Sequence, residues 1–471
     1  MEKKKANELE TLNINAYTSV FGYDRSSNKF GMVPFDQIMT NTAWFGRRWK
    51  KSNASPVGEE IGNLEMGRNL AKQLGLGGYL VKNDHSRTKL SSENHRYLEN
   101  GSAADLSGGA GHYQWGWNVP FYYQCYEDDV YDYETISISG PRPGFWNYRI
   151  PVGSRSCAGY ATIDRQTGTL VSYVNSDARY RGGNNNSALD SAYNSQLGMP
   201  ATNMTIDAFR TAARKNGTLW FANEHAMHYV TCALKRINFG NRNIQASFID
   251  TLNSNGLRQG GTGQGADFPS RWGEDFGYYP FIPLSTGVER GDFTGLTSCT
   301  INNNGSSLTI GNIPSFYGLK NDYKYLGVMS ENMLLRNNSD GSQTMFIPKN
   351  VDGSLMNLED VTGLKEIGRG PASSSADWLY PKEMTFKNLA FMPKTGGASE
   401  STYYSDGYYN PAVTSGLRGV VLLGHADYGG IAGSLCLVGS DGVWNANAGW
   451  GAFLCEWAEP FTTEPVWCAE G

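Results

Sequence analysis

The residues of this chain best suited to making contact with a ligand gather near its C-terminal end. They are His425, Asp427, Tyr428, Trp444, Asn445, Asn447 and Trp450. Tyrosine and tryptophan offer large contact area at low entropic cost, and asparagine and aspartate hydrogen-bond sugar hydroxyls or peptide groups. These seven are therefore candidate ligand-binding residues. They sit in the stretch GLRGVVLLGHADYGGIAGSLCLVGSDGVWNANAGWGAFLCEW, residues 416–457. Its apolar runs, 417–423 and 452–454, are bounded by glycine clusters and read as buried strands. The glycines between them permit positive φ and close backbone approach, which predicts a middle that is looped but fixed. Strands on both sides then brace a surface of polar and aromatic side chains, which is how a binding face is built. Trp444 and Trp450 have a second reading, as core residues of the closing strands.

Other residues capable of chemistry do not form a recognisable constellation. Glu127, Asp128, Asp129, Asp132 and Glu134 cluster inside YQWGWNVPFYYQCYEDDVYDYETISIS (113–139). They lack EF-hand spacing, so a hairpin with solvated charges is expected, with calcium at Asp128 an open question. His85, His95 and His112 are spaced too irregularly for a metal site and read as solvated loop residues. His225 and His228 lie three apart, but HExxH is absent and no third ligand is evident, so exposed or interface histidines are expected. Glu456 and Glu459 flank a strand end without evident partners, and no carboxylate pair for glycoside cleavage can be assigned. Seven cysteines, widely spread and without CxxC, argue against a disulfide framework and a zinc site, and read as buried free thiols. No catalytic residue, metal or cofactor is assigned.

At 471 residues, a prior of about 150 residues per domain suggests two or three domains. Charged residues are 18%, below the roughly 25% of a typical soluble protein. With 57 glycines and 13% aromatics, the balance is loop-rich and β-rich. A net charge of −5 implies no concentrated basic surface and excludes nucleic acid as an expected partner. MEKKK has no apolar segment after it and does not read as a signal peptide. No apolar run approaches the roughly 18 residues of a membrane helix, so no membrane insertion is expected.

The chain divides into three expected parts. Residues 1–40 form an N-terminal attachment segment, with a hairpin of 19–23 and 30–33 around a turn at 24–28, too small for its own core. Residues 41–110 form a β-rich neck of short strands and turns, including WFGRRW (44–49) and IGNLEMGRNL (61–70). Residues 111–471 carry strands to Val174, a polar loop at 175–196 and two helices. Thr205 caps the first, Asp207 lies in its first turn, and Gly217 ends it. Asn223 caps the second, which runs through Met227, Val230, Leu234 and Ile237 to Gly240. Residues 241–390, with NSNG, GGTGQG, NNNGSS and NNSDG, read as loop-dominated, supported by a β-run at 323–329 and a strand pair flanking Asp340 and Gly341.

The order of these pieces resembles the C-type-lectin-like fold of the formylglycine-generating-enzyme type, most closely its phage-borne relatives and the variable proteins of diversity-generating retroelements. The matching segments are FRTAARKNGTLWF (209–221), YVTCALKRINFGNRNIQ (229–245), YKYLGVMSEN (323–332), YYSDGYY (403–409), LRG (417–419) and GWGAFLC (449–455). Upstream, WFGRRW, IGNLEMGRNL and VPFYYQCYED resemble the neck and first strands of tailed-phage fibre proteins. The resemblance implies an α+β fold: an attachment hairpin and β-rich neck, then a C-type-lectin-like domain with two helices, short strands and long loops. Two departures bear on activity. The superfamily's oxidases carry a cysteine pair just after the equivalent of LRG, whereas here Cys436 stands alone. GAFLC replaces the usual closing GFRL and loses its arginine.

The resemblance thus implies a virion protein on the phage particle surface, a head- or tail-attached fibre or decoration subunit that binds a host-surface glycan or protein. Its N-terminal segment would attach to other virion proteins. A homo-oligomer is expected, with a trimer the arrangement a fibre favours. The competing readings are a scaffold subunit that binds no ligand, and an enzyme, either a formylglycine-type oxidase or a polysaccharide depolymerase.

Overall fold

A computed structural model of the chain describes residues 43–180, 182, 198–249, 282–303, 306–447 and 449–469, plus the backbone of two N-terminal strands. Side chains at 301–303, 306–308, 426 and 427 lie outside that description. The N-terminal strands Ser19–Asp24 and Lys29–Pro34 pair antiparallel as the expected hairpin. The turn between them and the segments 183–197 and 250–281 lie outside the described residues, and with them most of the polar loop and the NSNG and GGTGQG stretches.

The architecture corrects the α+β expectation. The described residues are mostly β, about 40% strand and 13% helix, and hold several sheets and four helices rather than two. A first six-stranded sheet has the order Val466–Cys468, Phe145–Ile150, Phe121–Glu127, Tyr131–Ser137, Trp44–Lys50, Glu59–Gly62. A second has the order Trp220–Ala222, Leu454–Trp457, Gly153–Ser156, His112–Trp117, Gly77–Val81, Arg87–Lys89. An eight-stranded third sheet is built on Gly327–Asn337 and Leu417–Leu422. Strands from 44–89 thus share both six-stranded sheets with strands beyond residue 111, and no sheet boundary falls near residue 110.

Local chemistry explains where the extra elements arise. Within IGNLEMGRNL, the side chain of Asn63 accepts the Met66 amide at 3.0 Å and starts helix α1 (Leu64–Arg68), followed by α2 (Leu70–Leu74). Residues 282–390 are far less loop-dominated than expected. NNNGSS lies where Gly295–Asn303 and Ser306–Phe316 meet, and NNSDG joins Gly327–Asn337 to Gln343–Ile347. Asparagine and glycine mark the tight turns of hairpins as readily as they mark loops.

Helix α3 (Ile206–Arg214) begins as expected, with Thr205 Oγ1 accepting the Ala208 amide at 3.2 Å and Asp207 in the first turn. Its cap residue is Lys215, two positions before Gly217. Helix α4 (His225–Phe239) ends on Gly240 in the left-handed conformation, also as expected. Its N-cap is Glu224 rather than Asn223: the carboxylate accepts the amides of Ala226 and Met227 at 2.9 and 2.8 Å. Asn223 instead takes positive φ and bonds Met329 O and the Phe453 amide.

Helix α4 is buried on every side from His225 to Ile237. His225 and His228, expected to be exposed or at an interface, are inside, and burial pushes the His228 imidazole well down, which keeps it neutral. Polar groups on this helix reach all three sheets. Arg236 makes a bidentate pair with Glu134 of the first sheet, both bonds 2.8 Å. Glu224 accepts Trp457 Nε1 of the second at 3.1 Å and Asn332 Nδ2 of the third at 3.0 Å. Buried charges persist only when paired in this way.

Candidate functional site

The segment from Leu423 to Gly451 leaves the third sheet and returns to it, and three short pairings hold it. Leu417–Leu422 pairs antiparallel with Gly327–Asn337. Leu437–Val438 pairs with both Leu417–Leu422 and Tyr408–Asn410, and Trp450–Gly451 pairs parallel with Gly327 and Val328. Gly424 has φ +72, and a Cβ there would stand 2.3 Å from that of Ala432, so no side chain fits where the segment folds back on itself.

The seven sequence-predicted residues separate on this framework. His425 and Tyr428 are half-buried at the turn Ala426–Ile431, with ring centroids 5.8 Å apart. The His425 ring lies against Gly449, where a Cβ would meet Nε2 at 2.0 Å, which brings the two ends of the segment together. Tyr428 packs edge-on against Trp378 at 5.1 Å, and Trp378 lies 5.2 Å from Tyr409. These rings form one half-buried aromatic strip. Asp427 belongs to the turn, but its side chain lies outside the described residues.

Trp444, Asn445 and Asn447 are exposed, Trp444 by 53%. Their backbone is tied down: Asn445 N donates to Gly442 O at 3.0 Å, and Asn447 O accepts from Asn203 N and Trp450 N, both at 3.1 Å. Asn447 Oδ1 accepts the Gly449 amide at 2.7 Å, so its carbonyl end is committed to the loop. Val443, buried beside Trp444, anchors the turn from below. Trp450 is 8% exposed and packs in the core against Gly327. Its competing reading as a closing-strand core residue is the one the structure takes.

Trp378 and Tyr409 did not stand out in the sequence. They meet only because Asp377–Leu379 pairs with Tyr408–Asn410, a tertiary contact that no local pattern announces.

Several groups expected in solvent are structural. His95 and His112 are buried, and burial pushes their imidazoles down to about 4 and about 3. His112 Nδ1 accepts the Ser172 amide at 3.3 Å, which leaves Nε2 to donate to Asn83 Oδ1 at 3.0 Å. Glu456 is fully buried, paired with Arg87, bonded to Ser154 Oγ at 2.7 Å and 2.9 Å from His85 Nδ1. Glu459 pairs with Arg149 at 2.6 Å. The acidic stretch at 127–134 forms the expected hairpin, but Glu134 is buried by its arginine. All seven cysteines are free thiols: Cys157, Cys232, Cys436 and Cys455 are buried, and Cys125, Cys299 and Cys468 are half-buried.

No known family model matches this chain, and no curated protein matches its sequence.

Proposed function

We propose that the protein is a binding subunit displayed on a phage particle, a head- or tail-attached fibre or decoration protein. It touches a host-surface glycan or protein through the loop that carries Trp444, Asn445 and Asn447. The observation that carries this reading is Trp444. A large indole stands in solvent, followed by the exposed amides of Asn445 and Asn447, on a backbone that strand pairings and hydrogen bonds hold in place. A fixed, exposed aromatic with amides beside it is the composition of a recognition loop. Cys436, the one cysteine of the segment, supports a role in binding rather than catalysis. Burial pushes its thiol well up, away from the thiolate that a metal-dependent oxidase needs.

The test is binding of the full-length chain to a panel of intact bacterial cells. Combined Trp444→Ala and Asn445→Ala substitution should abolish retention while leaving the melting temperature unchanged. Retention equal to that of the parent would place the contact elsewhere.

A second reading, a scaffold subunit without a ligand, is favoured by one observation. Val466 and Trp467 are exposed on an edge strand of the first sheet, beside exposed Trp146 at 5.5 Å from Trp467. Exposed apolar edges of this kind mark protein contacts. The same edge would serve the homo-oligomer, a trimer in a fibre, and mass measurement in solution separates monomer from trimer.

A further inference from the structure

A cleft of about 350 Å³, lined by none of the loop-face residues, lies between the hairpin Phe121–Glu127/Tyr131–Ser137 and the hairpin Pro381–Lys387/Ala390–Gly396. Its size falls in the range of small-molecule sites, about 300–1,000 Å³. We propose that this cleft is a second binding site and that its ligand is a neutral saccharide. The proposal does not rest on the loop-face reading.

Strand register decides which side chains form the first wall. Cys125 pairs with Glu134 and Glu127 with Asp132, so these four share one sheet face, and their alternating neighbours Tyr126 and Tyr133 share the other. The wall therefore carries three carboxylates, each beside a cation, together with the Cys125 thiol. Lys51 Nζ stands 2.5 Å from Glu127 and 3.8 Å from Asp132. Arg242 holds Asp132 at 2.6 Å, and Arg236 closes off Glu134. The Arg242 guanidinium lies 4.8 and 4.7 Å from the rings of Trp49 and Tyr404, and its buried Nε has no hydrogen-bond partner among the described residues.

The opposite wall carries Lys382, Met384 and Phe386. Lys382 Nζ lies 5.6 Å from the Tyr403 ring and has no carboxylate partner among the described residues. Phe386 and Tyr404 meet edge-on at 5.8 Å and close the inner end.

The charges select the ligand. An anion entering would face Glu127 and Asp132, and a cation would face Lys51, Arg242 and Lys382. A neutral polyol meets neither penalty, because each hydroxyl both donates and accepts. Neighbouring hydroxyls fit a carboxylate acceptor held within hydrogen-bond distance of an ammonium donor. The C–H faces of a sugar ring fit against Tyr403, Met384 and Phe386.

The test uses the full chain in ligand-observed NMR and calorimetry. The probes are methyl glucoside, methyl galactoside and lactose, with N-acetylneuraminic acid and spermidine as charged comparators. At least one neutral sugar should bind in preference to both charged probes. Glu127→Gln and Lys382→Ala should each weaken it about tenfold, the loss of one charged hydrogen bond. Trp444→Ala should leave this binding unchanged, which separates failure here from failure of the loop-face reading. Both cleft side chains are at the surface, and thermal melts confirm that the variants fold. If Glu127→Gln fails to fold, Lys382→Ala carries the test. The proposal is overturned if no neutral sugar binds, if a charged probe is preferred, or if the folded variants bind like the parent.

Discussion

Helix α4 and the segment 423–450 are both rich in polar and aromatic residues, yet they use them in opposite ways. On the helix, His225, His228, Lys235 and Arg236 are all buried, and the charged ones are paired. In the segment, Trp444, Asn445 and Asn447 face solvent, while the backbone beneath them takes the hydrogen bonds. Residue type alone therefore does not separate structural from contacting groups. What separates them is whether the surrounding elements close over the side chain. The helix sits where three sheets converge, and the segment sits where one sheet ends.

The sharpest way to break the contrast is Glu134→Ala, which leaves Arg236 buried without its partner. It should cost about 3–5 kcal/mol, read by chemical denaturation. Within the segment, Trp450→Ala should cost about 3–5 kcal/mol as a core truncation. A loss below 1 kcal/mol would return Trp450 to the exposed face.

Acid should act on the buried groups first. An unfolded histidine titrates near 6.5, whereas His95 and His112 are held down to about 4 and about 3. Their contribution to stability is complete above about pH 6.5 and is lost as pH falls through those values. By pH 5 the loss is about 2 kcal/mol per histidine. For Glu224, burial alone would raise the carboxyl, but His225 and the capped amides outweigh it and hold it at about 2. Its stabilisation is complete above about pH 4.5 and fades below. Asp406 and Glu331, pushed up by burial, act in the opposite sense. Melting temperature should therefore fall between pH 7 and pH 5, and a flat profile would mean that these imidazoles reach water. The smallest effect on stability belongs to Trp444→Ala, within about 0.5 kcal/mol, together with loss of surface binding.

Much of the local structure was legible in the sequence. The cap at Thr205, the stop at Gly240, the N-terminal hairpin and the strand pair around Asp340 all depend on neighbours a few residues apart. The exposed trio of the loop was legible too, since asparagines beside a tryptophan in a glycine-framed turn are seldom buried together. Sheet content was not. The clusters at NNNGSS and NNSDG signal a reversal of the chain, and nothing in them says whether long strands stand on either side. The helical segment in IGNLEMGRNL is marked by Asn63 and Glu65, a cap with an acid in the first turn, but a helix one turn long shows no apolar periodicity to set it apart from a turn. The partner of Glu456 is Arg87, which lies far away in sequence. An ion pair between such distant residues leaves no trace in the order of either neighbourhood.

The placement of Leu454–Trp457 inside the second sheet governs how the chain can be made. This strand lies between Trp220–Ala222 and Gly153–Ser156, so a sheet begun by residues 77–222 keeps a gap until residues 454–457 leave the ribosome. During synthesis, at about 5–20 residues per second, two strand edges wait unpaired for the intervening sequence to emerge. Closure of the second sheet thus waits for a strand more than 200 residues beyond its neighbours in sequence, and a polypeptide that stops short of residue 454 keeps a vacant slot open to a neighbour's strand.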